Sequence, residues 1–255
     1  SRGTPHGLRQ GRGRRLPRGA HPTGKKLREL LYSAFFATDH ATHFYILAGA
    51  DFLVGPQAPA AERNVFGAIA KVGEEIGKRI IRHRMECKEV IDIIGARQVH
   101  PVCALPGGVS KPLAEKDRER VEQVARDAVK FGELSLQLFG DLVLANPAYR
   151  DLIFGETYRQ QTYYMGTVDE HNHVNFYDGE IRVVSPEGKE FARFRPAEYT
   201  EHLAERVEAW SYLKFPYLKG VGWKGLDEGS ESGIYQATPL SRLNVADGMA
   251  TPLAQ

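Results

Sequence analysis

The spacing of apolar residues predicts three long helices in the first 144 residues. Apolar side chains recur every three or four positions from Lys25 to Val54, from Ala60 to Ile94 and from Glu115 to Leu144. Glycine and proline follow the first two patterns, as they commonly do where a helix ends. A loop rich in these two residues, 95–112, separates the second helix from the third.

Beyond Pro147 the apolar pattern changes to a period of two, which is typical of strands. Asp178-Gly179 is a strong signal for a hairpin turn. Residues 196–208 return to a helical pattern, and residues 210–235 show no clear period. The sequence therefore predicts a mainly α protein of the α+β class, with a small antiparallel β insert at about 160–195. The strand-like segments are Thr162–Val168, Val174–Tyr177, Glu180–Val184 and Glu190–Phe194.

Composition limits the class of protein. The chain has 255 residues, of which 42% are hydrophobic and 26% charged, which is ordinary for a globular protein with a buried core. It has no run of 18 apolar residues, so the sequence predicts no membrane span. Two cysteines exclude a disulfide framework and favour a reducing compartment, so we expect a cytoplasmic location.

Positive charge is concentrated at the start of the chain. The first 20 residues carry six arginines and no acidic residue, whereas the remaining 235 residues have a net charge of −4. Segment 1–21 is rich in Arg and Gly, has almost no apolar residues, and is expected to be disordered or damaged. A nucleic-acid-binding arm is the alternative, but the aromatic residues that accompany single-strand binding are absent. We therefore expect no nucleic-acid partner. The remaining residues, 22–255, are expected to form one partial domain.

Polar residues in the first predicted helix are candidates for a site. His40 and His43 are three residues apart, and His43, Leu47 and Asp51 step by four, which places them on one helix face. A carboxylate on such an apolar face requires a buried partner or a cavity. The HExxH zinc pattern is absent, and a lone histidine on a helix is more often a hydrogen-bonded core residue.

The loop and the hairpin supply the other candidates. His100 lies in the Gly- and Pro-rich loop, in a region where function is common, although a tight turn is the simpler explanation. Cys87 and Cys103 have no CxxC partner, so zinc and iron–sulfur spacings are absent. His171 and His173 alternate by two beside the predicted hairpin and are expected to face solvent.

Six segments in order across residues 22–255 resemble the large subunit of nickel–iron hydrogenases. The resemblance is closest to the cytosolic methyl-viologen-reducing, coenzyme-F420-linked and NAD(P)-linked types, and it implies the long-helix core of that subunit. The segments are PTGKKLRELLYSAFFATDHATHFYILAGADFLVGP, AAERNVFGAIAKV, GARQVHPVCALPGGVSK, VNFYDGEIRVVSPEGKEF, WSYLKFPYLKGVGWKG and TPLSRLNVADGMATPLAQ.

The resemblance implies a parent enzyme that splits or forms H2 heterolytically at a nickel–iron centre carrying CO and cyanide. Electrons would pass to an iron–sulfur small subunit, then to further electron-transfer subunits. Four cysteines from two CxxC motifs hold the metals in that family, and neither motif is present here. The chain is thus expected to be a central fragment, inactive alone and without metal ligands. The alternative is a non-catalytic paralogue resembling the 49-kDa quinone-site subunit of respiratory complex I.

Three residues match positions of the family's pattern. Asp51 matches a buried carboxylate near the metal centre, where it would shape the electrostatics and handle protons. His100 matches a histidine near the proximal cluster of the small subunit. His6 matches a histidine that hydrogen-bonds a bridging cysteine, but Arg2 stands where the first cysteine of that motif would be. No residue is assigned as a metal ligand.

Overall fold

The computed structural model describes residues 21–255, so the prediction for segment 1–21 lies almost entirely outside the described part. Three regions are helical where the apolar spacing predicts it, but each is divided. The first contains α1 and two short π-helical turns, the second contains α2 and α3, and the third contains α4 and a further π-helical turn. Their bounds are Pro22–Thr42 (α1), His43–Leu47 (π1), Ala50–Val54 (π2), Val65–Val72 (α2), Glu74–Gly95 (α3), Glu115–Phe139 (α4) and Gly140–Leu144 (π3).

The division between α2 and α3 follows from local chemistry. Asn64 caps α2, because its side-chain oxygen accepts hydrogen bonds from the backbone N–H groups of Phe66 and Gly67. Gly73 ends α2 in the left-handed conformation with a φ of 93°, which glycine adopts at little cost. The helix predicted to run unbroken over residues 60–94 is therefore two helices.

The first compact unit comprises residues 21–42 and 78–127 among those described. Its core is an apolar cluster contributed by α1, α3 and α4. The Gly- and Pro-rich loop packs on α1: the Arg28 guanidinium donates to the backbone carbonyls of Leu105 and Gly108. A Cβ placed on Gly24 would lie 3.1 Å from the Gly108 Cα, so glycine allows this close approach. The loop carries the two-residue strands Ala104–Leu105 (β1) and Gly108–Val109 (β2). The core cluster is Leu27, Val90, Ile94, Val121 and Val124.

The second unit comprises residues 43–77 and 128–255. Its four-stranded sheet has the order β5-β4-β3-β8, antiparallel except for the parallel β3–β8 pair. A separate antiparallel pair, β6–β7, lies outside that sheet. The unit also contains α2, the first residues of α3, the end of α4, the three π-helical turns and three further helices. The elements are Pro147–Phe154 (α5), Tyr163–Val168 (β3), Glu180–Val184 (β4), Glu190–Phe194 (β5), Tyr199–His202 (α6), Leu203–Val207 (β6), Lys214–Leu218 (β7), Tyr235–Gln236 (β8) and Pro239–Val245 (α7).

Helix α7 packs against β3 at Gly166, where the strand itself has no side chain. Gly166 on β3 faces Val245 and the backbone of Arg242, and Val245 is fully buried. Thr238 caps this helix, because its side chain accepts a hydrogen bond from the Ser241 N–H. Arg182 on β4 then holds the end of α7 by donating to the Val245 carbonyl oxygen at 2.7 Å.

The α+β class is confirmed, and two local predictions are wrong. Residues 196–208 form a 3₁₀ turn, the single-turn helix α6 and then strand β6, because Leu203 and its successors pair with β7. Val174–Tyr177 is not a strand. Only Val174 bridges to Val168, because the Asn175 side chain accepts bonds from the Tyr177 and Asp178 N–H groups and turns the chain.

Candidate functional site

The segment that carries Asp51 is π-helical. The Ala48 N–H donates to the His43 carbonyl oxygen at 2.9 Å, a bond across five residues, and the Ala145 N–H makes the same bond to Gly140 in π3. Turns of this kind are rare and are often found at functional sites. Because they are wider than α-helical turns, a spacing of four residues no longer keeps side chains on one face.

Asp51 is exposed, which differs from the expected burial on an apolar face. His43 and Leu47 are also exposed, so the three residues do not form a buried polar face. The Asp51 backbone is fixed by the Tyr149 hydroxyl, which donates to its carbonyl oxygen at 3.3 Å. The structure therefore presents this carboxylate at the surface of the second unit, and its assigned role stays a prediction.

The aromatic packing beneath the π-helical turns holds them in place. The Phe44 ring packs against the tilted rings of Phe52 and Phe139, with ring centroids 5.2 and 6.1 Å away. The buried Tyr45 packs against Phe131, and its hydroxyl donates to the Ser135 Oγ at 2.8 Å. These contacts bury one side of the π-helical segment, and the side chain of Asp51 lies on the outside.

His100 lies at an exposed turn of the loop that follows α3. Its φ of 54° and that of Ala96, 62°, are in the left-handed region, where non-glycine residues cost about 1–3 kcal/mol each. The segment is closed by a bond from the Val102 N–H to the Gly95 carbonyl, and Pro101 packs on Gly95. Because His100 is exposed, its imidazole is accessible to a partner protein. Its role near an iron–sulfur cluster stays a prediction. His6 lies outside the described residues.

A buried histidine–cysteine pair was not predicted from the sequence. Cys87 is 2% exposed, and its Sγ lies 3.7 Å from the His83 Nε2. Burial raises the pKa of the Cys87 thiol to about 11, with a further contribution from Glu86. Burial also lowers the pKa of His83, against a hydrogen bond that the ring donates to the backbone carbonyl of Ala37, which raises it. The i, i+4 spacing of the two residues on a helix could have revealed the pair.

The described residues offer no set of ligands for the nickel–iron centre. A thiolate is the form of cysteine that binds metals, and Cys87 is held as a thiol at neutral pH. Within residues 21–255 no three His, Cys, Asp or Glu side chains come together in a group able to hold a metal ion. This part of the chain therefore does not fit that centre. None of its helices is long and apolar enough to cross a membrane.

The fold and the sequence are similar to those of hydrogenase subunits. By structure, the chain resembles an NAD+-reducing [NiFe]-hydrogenase in the H2-reduced state, with a TM-score of 0.80 and 30% identity over 91% of this chain and 49% of that one. A Ni-Fe-Se hydrogenase from D. vulgaris Hildenborough shares the fold, with a TM-score of 0.65 and 17% identity over 91% of this chain and 51% of that one. No protein-family model matches the sequence.

Curated proteins similar to this chain are subunits of hydrogenases. The chain is 42% identical over 233 residues to an iron-sulfur subunit of the F420-non-reducing hydrogenase of Archaeoglobus profundus, covering 91% of this chain and 48% of that protein. It is 37% identical over 233 residues to a vhu subunit of the F420-non-reducing hydrogenase of Methanocaldococcus jannaschii, covering 91% and 52%. It is 32% identical over 252 residues to the NAD-reducing hydrogenase HoxS subunit beta of Cupriavidus necator, covering 94% and 48%. The chain spans about half the length of these relatives.

These names correct the assignment made from the sequence. The relatives are called an iron-sulfur subunit, a vhu subunit, or a beta subunit, so the expectation of a catalytic large subunit is contradicted. The large-subunit type of fold is not confirmed either, because the match covers only 49% of the solved chain. The alternative of a complex I paralogue finds no support among these hydrogenase relatives. They are subunits of larger enzymes, but nothing in the comparisons supports the expected partner, an iron–sulfur small subunit.

Proposed function

We propose that this chain is part of a hydrogenase subunit of the same type as these relatives and works within a multi-subunit oxidoreductase that acts on H2. The observation that carries the proposal is the 42% identity over 91% of the chain to a subunit of the F420-non-reducing hydrogenase. A fold similarity with a TM-score of 0.80 to an H2-reduced hydrogenase supports the same class.

The chain's own surface supports assembly with other protein segments. Leu47, Phe66 and Phe154 are large apolar side chains in the second unit, and all three are exposed. Contiguous exposed apolar patches mark interaction sites in folded proteins, and in this proposal the three side chains belong to such a patch. Segments of other subunits would supply the covering surface. The chain then contributes a scaffold and contact surfaces to the enzyme.

Two residues carry specific roles in this proposal. The exposed Asp51 would form an ion pair with a cationic side chain of a segment that covers the π-helical turns, and so shape the field around the reacting centre. The exposed His100 would donate a hydrogen bond to a group of a partner subunit, as imidazole does around metal clusters. Both roles require a partner surface, which is consistent with the exposure of both side chains.

The nickel–iron centre belongs to the proposal for the whole enzyme. Such a centre would supply the cleavage of H2, and the described residues of this chain contain no group of three or more side chains able to hold a metal ion. The cytoplasmic location is also part of the proposal and is supported by the two free, buried cysteines.

The test is isolation of the native complex through an affinity tag on this chain, under anaerobic conditions in the source organism. We expect other hydrogenase subunits to co-purify, and the sample to reduce viologen dyes with H2. Deletion of the gene should abolish that activity, and its reintroduction should restore it. A tagged chain that purifies alone, or a deletion that leaves H2-dependent activity intact, would contradict the proposal.

The role of Asp51 has a matched control in the same unit. Asp141 is likewise exposed and occupies the second position of π3, as Asp51 does in π2. Asp51→Asn should lower the H2-dependent rate of the complex at least tenfold, about 1.4 kcal/mol, without changing subunit composition. Asp141→Asn should leave the rate unchanged. Equal effects of the two substitutions would remove the special role of Asp51.

A further inference from the structure

The hairpin loop between β3 and residue 174 brings two imidazoles side by side. His171 and His173 have ring centroids 6.0 Å apart, with the ring planes inclined by 50°. Their side chains are 71% and 38% exposed, so both are accessible from solvent. Neither histidine has a role in the proposed hydrogenase function.

The loop that carries the two histidines is fixed by hydrogen bonds. The Asp169 Oδ1 accepts from the backbone N–H groups of His171 and His173, at 2.9 and 2.8 Å. Asn172 between them has a left-handed φ of 59°, a conformation that asparagine adopts more readily than most residues. Its side chain donates to Asp247 at 2.7 Å and accepts from Arg193. The spacing of the two imidazoles is therefore set by a held backbone.

The charge around the pair favours a cation. The Asp169 Oδ2 lies 3.9 Å from the His173 Nδ1, and the Glu170 Oε1 lies 4.0 Å from the His171 Nε2. With neutral imidazoles, these two carboxylates leave the loop negative. At these separations the two carboxylates act through their charge rather than through hydrogen bonds to the rings.

We propose that His171 and His173 form a two-histidine chelate for a divalent transition-metal ion, completed by water. Zinc–nitrogen bonds of about 2.0–2.1 Å in a tetrahedral arrangement place two ring centroids about 5 Å apart on one ion, so the rings observed 6.0 Å apart must approach by about 1 Å. Rotation of the exposed His171 side chain shortens the distance between the two rings. Imidazole ligands suit Cu²⁺, Ni²⁺ and Zn²⁺, and the expected order of affinity is Cu²⁺ above Ni²⁺. Because only two protein ligands are present, this site is distinct from the metal groups of three or more that residues 21–255 lack.

The test is a calorimetric titration of the full 255-residue chain with Ni²⁺, repeated with Cu²⁺ and Zn²⁺. His171→Gln is the diagnostic variant, since its side chain is exposed and its loss should leave the fold intact. His100→Asn is the control, because it also removes an exposed histidine from a left-handed position that asparagine tolerates. We expect His171→Gln to bind one Ni²⁺ fewer, or to bind it at least tenfold more weakly, and His100→Asn to match the unmodified chain.

A second readout does not depend on any variant. Addition of Zn²⁺ to the unmodified chain should shift the NMR signals of the His171 and His173 rings together, at one equivalent of metal. In Cu²⁺ electron paramagnetic resonance, the unmodified chain should show two coordinated nitrogens at this site and His171→Gln one. Unshifted ring signals, a titration unchanged by His171→Gln, or an equal loss in His100→Asn would overturn the proposal.

Discussion

The contact between α7 and β3 allows a sharp prediction about Gly166. A Cβ added at this position would lie 2.6 Å from the Val245 Cγ2 and 3.3 Å from the Arg242 Cα. The first distance is far below van der Waals contact, and the second atom belongs to the helix backbone. Val245 is fully buried, so its side chain has no free space to turn into. Gly166→Ala must therefore move the helix or distort the strand.

The size of the effect follows from the atoms involved. Forcing one extra methyl group into a packed core costs about 1–3 kcal/mol. Val245→Ala removes the clashing Cγ2 but leaves a cavity, which costs about 2–3 kcal/mol by itself. The double variant should be more stable than the sum of the two single changes predicts, by about 1–2 kcal/mol, because the closer of the two contacts, with the Val245 Cγ2, no longer exists.

Gly140 provides the matched control. It lies in the helical turn π3, and a Cβ there would meet no atom within 4 Å. Gly140→Ala should therefore stabilise the chain by about 0.4–1 kcal/mol, through the reduced freedom of the unfolded state. The measurement is urea unfolding followed by circular dichroism, with the two single variants, the double variant and the control compared at one pH. Unchanged stability of Gly166→Ala, or strict additivity with Val245→Ala, would refute the packing argument.

Three further predictions rest on single side chains. Hydrogen bonds from Arg182 and Asn172 lower the pKa of Asp247 in the folded chain. The stability that Asp247 contributes is therefore present above its unfolded pKa and is lost as the pH falls through the lower folded pKa. Asp247→Asn should flatten the fall in melting temperature below about pH 4. The Cys87 thiol, with a pKa of about 11, should react with iodoacetamide at pH 8 more than about 100-fold slower in the folded chain than in urea, and equal rates would contradict its burial. Asn64→Ala should cost about 1 kcal/mol in urea unfolding, and a cost near zero would show that the cap of α2 contributes nothing.

The positions of the long helices and of three strands were accessible from the sequence. The apolar period locates α3 and α4, and β4 and β5 lie at the bounds that alternation predicts. The period could not show where a helix changes its hydrogen bonding. An α-helical spacing assigns His43 and Asp51 to one buried face, but the bonds across five residues in π1 rotate the following side chains. The expected burial of Asp51 failed for this geometric reason.

Residues 196–208 show a different limit of sequence reasoning. Their composition suits a helix, but strand β7 lies within reach and pairs with Leu203–Val207 over five residues. Long-range strand pairing of this kind overrides a weak local preference for helix. The partner strand, β7, lies in residues 210–235, where the sequence showed no clear apolar period. The His83–Cys87 pair was missed because neither residue belongs to a known motif, although their spacing places them on one helix face.

Residues 95–102, at the start of the loop that follows α3, form a closed turn at the surface. Its ends meet where the Val102 N–H bonds to the Gly95 carbonyl, and none of the described residues between them belongs to the apolar core cluster of the first unit. Replacing residues 97–100 with a short flexible linker should therefore leave the helices folded while removing the exposed imidazole. Such a variant would test whether the loop is needed for assembly into a larger enzyme without changing the stability of the fold. A substitution in the core would change both at once.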